Sequence, residues 1–111
     1  MTLLVISQGS YYERRYPILN PDTGLPLDLT GWTARGQVRE AVESAAALYE
    51  WSVAESNLQL LAGELVISVP AGDSSGWTWR RGRFDIELTD PSGKPGRVDS
   101  GSIQVDPETT R

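Results

Sequence analysis

The feature that most constrains this chain is a strict two-residue alternation of apolar and polar side chains, present twice and far apart. From Trp32 to Glu40, Trp32, Ala34, Gly36 and Val38 fall on one side, and Thr33, Arg35, Gln37 and Arg39 on the other. From Arg83 to Thr89, Phe84, Ile86 and Leu88 alternate with Arg83, Asp85, Glu87 and Thr89. Successive side chains of a strand point to opposite faces, so each segment reads as a strand with one face in a core and one in solvent.

The rest of the chain fits round these two. Thr2–Ser7 is aliphatic and β-branched and stops at Gln8-Gly9-Ser10, a strand and then a turn. Tyr11 to Leu19 alternates Tyr12, Arg14 and Tyr16 with Tyr11, Glu13 and Arg15, a strand exposed on at least one face, with Pro17 marking an edge or an end. Asn20 to Pro26 turns the chain, and Leu27 to Gly31 is a short extended piece closed by an Asp28 turn. After an Ala-rich loop, Leu48, Trp51 and Val53 read as a returning strand. Leu58–Leu61 and Glu64–Val69 form a hairpin about Ala62-Gly63, with Leu65, Ile67 and Val69 inward. Pro70 ends it. The loop Ala71 to Gly76 has room for one helical turn, with Asp73 and the serines as natural N-caps. Asp90 to Gly96 is a turn cluster joining the Arg83–Thr89 strand to a closing strand, Val98 to Val105.

Strands recurring about every ten residues, punctuated by Gly and Pro without helical periodicity, predict a single antiparallel β-sandwich over residues 1–111. It has about 7–9 short strands and little or no helix. Its expected core is Trp32, Val38, Leu65, Ile67, Phe84, Ile86, Leu88, Ile103 and Val105.

Composition narrows the function. The 111 residues include no Cys and no His, so disulfides, thiolate chemistry and the usual neutral-pH general base are all absent. Asp85 and Glu87 could be imagined as an acid and base pair, but two carboxylates on the solvent face of a strand are ordinary surface charges. Asp22, Asp28, Asp73, Asp90 and Asp99 lie in or beside turns, and turn formation explains them without a metal. A net charge of −5 opposes nucleic acid. The apolar run Leu3–Ile6 falls far short of the about 20 residues that cross a bilayer. Neither an enzyme, a cofactor, a nucleic acid nor a membrane is expected.

Binding remains. Trp77 and Trp79 beside Arg80 and Arg81 suit a protein interface, and aromatic residues at strand ends could also stack on a sugar, which keeps a carbohydrate-binding module as an alternative. Thr2–Ser7 is apolar on both faces with no charge or proline to discourage pairing. Either it is an edge that a neighbour covers, or it is central and covered by its own sheets. The candidate partner-interface residues are therefore Leu3, Val5, Tyr12, Trp77, Trp79, Arg80 and Arg81.

The stretch Asp28-Leu29-Thr30-Gly31-Trp32-Thr33-Ala34-Arg35-Gly36-Gln37-Val38-Arg39 resembles the "DLTGxxxxxQVR" segment of small β-sandwich domains in tailed bacteriophages. These domains are similar to the N-terminal domains of upper baseplate and tail-fibre-associated proteins. Arg83 to Leu88, Gly101 to Val105 and the terminal Thr110-Arg111 are similar to the second half of that family. The resemblance implies a virion structural protein, assembled in the bacterial cytoplasm, that docks onto other tail or baseplate subunits and acts as a homo-oligomer or multi-copy component. Many members continue into a shaft or receptor-binding part, whereas this sequence stops at Arg111. That departure suggests a stand-alone adaptor or, as an alternative, a capsid decoration protein.

Overall fold

The two alternating segments lie side by side. In the computed structural model, which describes residues 1–107, Ala34, Gly36 and Val38 are the direct antiparallel partners of Leu88, Ile86 and Phe84. Their shared phase makes one continuous inner face, where Val38, Phe84, Ile86 and Leu88 are buried. Thr110-Arg111 lies outside the described residues.

Among the described residues there are eight strands: β1 (Thr2–Ser7), β2 (Tyr12–Pro17), β3 (Thr33–Arg39), β4 (Tyr49–Ser52), β5 (Leu58–Leu61), β6 (Glu64–Val69), β7 (Arg81–Thr89) and β8 (Pro95–Asp106). One short helix, α1 (Ala71–Ser75), joins β6 to β7. A five-stranded sheet in the order β1-β8-β7-β3-β4 faces a three-stranded sheet in the order β2-β6-β5. The protein is an all-β sandwich. The sets β8-β7-β3-β4 and β2-β6-β5 reproduce the two sheets of an immunoglobulin-like sandwich.

One pair departs from the antiparallel expectation. β1 runs parallel to β8, Thr2 opposite Gly101 through Ser7 opposite Asp106. Parallel neighbours need a long crossover, and here nearly the whole domain lies between the first strand and the last. The boundaries also shift. Leu27 to Gly31 forms no strand, and β8 starts at Pro95, inside the expected turn cluster. Proline is tolerated as the first residue of a strand because its missing N–H leaves no ladder bond broken there. α1 occupies the expected loop, but its N-cap is Pro70 with no side-chain cap.

The core matches the alternation except at Trp32, which is half-buried at the rim. It also includes Leu4, Ile6, Leu29, Trp51 and Leu58. Trp51 is 0% exposed and sits opposite Gly36, where an added Cβ would stand 2.9 Å from its indole ring. The glycine in the alternating row is thus the slot that admits the largest core side chain.

Candidate docking surface

The sandwich leaves four edge strands among the described residues, β1 and β4 on one sheet and β2 and β5 on the other. An edge strand presents unpaired N–H and C=O groups, and proteins blunt such edges by shortness, charge or proline. β4 and β5 are four residues each. β2 carries Glu13, Arg14, Arg15 and Pro17, with Arg14 in the inward phase beside Tyr12 and Tyr16. β1 has none of these devices.

β1 is apolar on both faces, and the structure separates their roles. Leu4 and Ile6 are 1% and 0% exposed, packed in the core, whereas Leu3 and Val5 are 57% and 43% exposed. The Gln8 N–H donates to the Asp106 carbonyl at 2.9 Å, continuing the ladder to β8. By the alternation of a strand, Leu4 and Ile6 turn their amides the same way, and Leu3 and Val5 turn theirs to the open edge. Two exposed aliphatic side chains thus flank backbone groups free to pair.

What seats β1 lies at its other end. A Cβ on Gly101 would collide with the Thr2 carbonyl oxygen and come within 2.7 Å of the Thr2 nitrogen, so only glycine admits β1 this close to β8. Next to it, the Asp99 carboxylate accepts from the Thr2 hydroxyl at 2.7 Å, the Tyr16 hydroxyl at 2.7 Å and the Ser100 N–H at 2.8 Å. This ties β1 and β8 to β2 across the two sheets. Partial burial opposes the Asp99 charge, but the three donors and the nearby Arg14 outweigh it and hold its pKa below the ordinary carboxylate value. Burial and the bond to Asp99 push the Tyr16 phenol up, and the Arg14 guanidinium stands 5.2 Å over its ring.

Three of the expected interface residues come together. Val5 is opposite Gln104, which is opposite Arg81, so Leu3, Val5 and Arg81 share the outer face beside the open edge. Arg80 is exposed just before β7, and its carbonyl accepts the Val105 N–H at 2.8 Å. Tyr12, Trp77 and Trp79 lie elsewhere and are half-buried against the core. Trp77 packs on Trp79 at 4.5 Å between centroids and edge-on to Tyr49 at 5.0 Å, and Tyr49 in turn meets Trp51. The Trp79 indole N–H is buried without a hydrogen-bond partner among the described residues. A sugar platform needs ring faces open to solvent, and these rings cap one end of the core instead.

Asp99, expected beside a turn at the start of the closing strand, lies in β8 and ties the sheets together. Nothing near it in sequence points to Thr2 or Tyr16. Asp28 and Asp90 do hold turns, accepting from Thr30 N–H at 3.0 Å and Ser92 N–H at 3.0 Å.

No protein-family model matches the chain, and no curated protein matches it. Among solved structures it is similar to Drosophila OTK, extracellular domains 3-5, at 18% identity and a TM-score of 0.41, over 95% of this chain. The chain spans 33% of that protein's length.

Proposed function

We propose that this chain is a non-catalytic structural protein of a bacteriophage virion, docking in several copies within the tail or baseplate through protein–protein contacts. The observation that carries the reading is the unblunted β1 edge, the one described edge with neither charge, proline nor shortness to stop a neighbour from pairing. The family resemblance supports it. Those of its residues that are described fall in the turn before β3 and in β3, β7 and β8, which together form the scaffold on which β1 is laid.

A short edge gives modest affinity, but in a repeated particle many such contacts act together, so no single deep pocket is required. Mass spectrometry of purified particles, with chemical cross-linking, tests the proposal. The expected result is this chain cross-linked to tail or baseplate subunits through residues near Leu3 and Val5. Cross-links to capsid subunits would replace the tail assignment with a decoration role, and absence from particles would overturn the proposal.

A further inference from the structure

The outer face of the five-stranded sheet carries Arg35, Arg39, Arg81, Arg83 and Arg97 against Glu50, Asp85, Glu87 and Asp106, a small local excess of positive charge on a chain whose net charge is −5. Arg39 and Arg83 are direct cross-strand partners. Like charges placed directly opposite each other on a sheet are destabilising. Neither forms an ion pair, since the ion pairs among the described residues are those of Arg15 with Glu13 and Glu64.

The arginines are nonetheless held in place by neutral acceptors. Arg39 donates to the Ser44 carbonyl at 2.6 Å and to the Gln37 side-chain oxygen at 2.7 Å, and Arg83 donates to the Ser102 hydroxyl at 3.1 Å. Arg35 and Arg97 flank Glu87 in the neighbouring row. Between the rows lies a cleft of about 310 Å³, with the exposed Val42 at its border. The cleft is lined by Arg35, Arg39, Arg83 and Arg97 against Asp85 and Glu87, and positioned guanidiniums in excess of their counter-charges are suited to bidentate recognition of carboxylates.

We infer that this cleft takes the carboxylates of an acidic, extended segment of a partner protein. The inference rests on the docking reading above and names the chemistry of the partner. Charge complementarity selects the occupant: the cleft sets four arginines against two carboxylates, and the remainder of the chain is acidic. A long nucleic acid would run from the cleft over repelling surface, whereas a protein segment need place only a few carboxylates at the cleft.

The test is fluorescence anisotropy of the full chain with a labelled ten-residue Asp/Glu-rich peptide, against single-stranded DNA of ten nucleotides and inorganic phosphate. Saturable, salt-sensitive peptide binding is expected, weakened at least tenfold in the Arg39→Gln/Arg83→Gln double variant and unchanged in Arg15→Gln. The melting temperature of the double variant, measured alongside, shows that it is folded at the assay temperature. Absence of binding, equal binding by the folded double variant, equal weakening by Arg15→Gln, or preference for DNA or free phosphate would each overturn the inference. A chain found in particles yet indifferent to the peptide would sink this inference and keep the assembly reading. Peptide binding by a chain absent from particles would do the reverse.

Discussion

β1 and β2 are both edge strands of six residues, one on each sheet, and they treat their open sides in opposite ways. β2 spends its positions on protection: Glu13 and Arg15 outward, Arg14 inward and Pro17 at its end. Its charges pair locally, Arg15 reaching Glu13 at 3.0 Å and Glu64 at 3.5 Å. β1 places Leu4 and Ile6 in the core and leaves Leu3 and Val5 in solvent. Exposed charged pairs contribute little stability, so the value of the β2 pattern lies in forbidding partners. The lack of such a pattern on β1 then reads as permission for one.

The largest expected effects fall on the core that supports both edges. Phe84→Ala should cost about 3–5 kcal/mol, since the ring is buried edge-on to Trp51, and thermal or denaturant unfolding would show it. Ile6→Ala should cost about 2–5 kcal/mol by emptying the inner face of β1. If Ile6→Ala were silent while Phe84→Ala was not, β1 would be a loosely attached strap, and the contrast with β2 would lose its meaning.

A smaller effect is expected where the two edges are tied. Asp99→Asn should cost about 1–2 kcal/mol, the range for weakening hydrogen bonds to a partly solvated charged group. The folded pKa of Asp99 lies below its unfolded value. Its stabilisation is therefore complete above the unfolded pKa, about 3.9, and is lost as pH falls through the folded value. Unfolding measured from pH 6 down to pH 2 should show a smaller acid loss in Asp99→Asn than in wild type. An unchanged pH profile would mean that the carboxylate does not tie the sheets.

Much of this architecture was legible in the residues. β3 and β7 are long enough, at seven and nine residues, for a two-residue period to declare itself, and their facing cores followed. β4 has four residues, too few for a period to show after the Ala-rich loop, and Trp51 was placed in a strand without being placed in the core. The parallel pairing of β1 with β8 was not legible, because a strand apolar on both faces looks the same at an edge as at a centre. The Asp99 contacts join residues 97 and 83 positions apart, a relation that no local pattern encodes. Of the candidate interface residues, Leu3, Val5 and Arg81 share one exposed outer face, whereas Trp77 and Trp79 are half-buried in the aromatic cap.

The smallest effect on stability belongs to the most informative change. Leu3→Lys and Val5→Lys substitute exposed side chains and leave Leu4 and Ile6 in the core, so each should shift stability by no more than about 0.5 kcal/mol. Lysine on an edge strand is the device that β1 lacks. The decisive measurement is incorporation of the Leu3→Lys/Val5→Lys chain into particles in competition with wild type, with its melting temperature measured alongside. The account predicts exclusion from particles at near wild-type stability, and normal incorporation would contradict it.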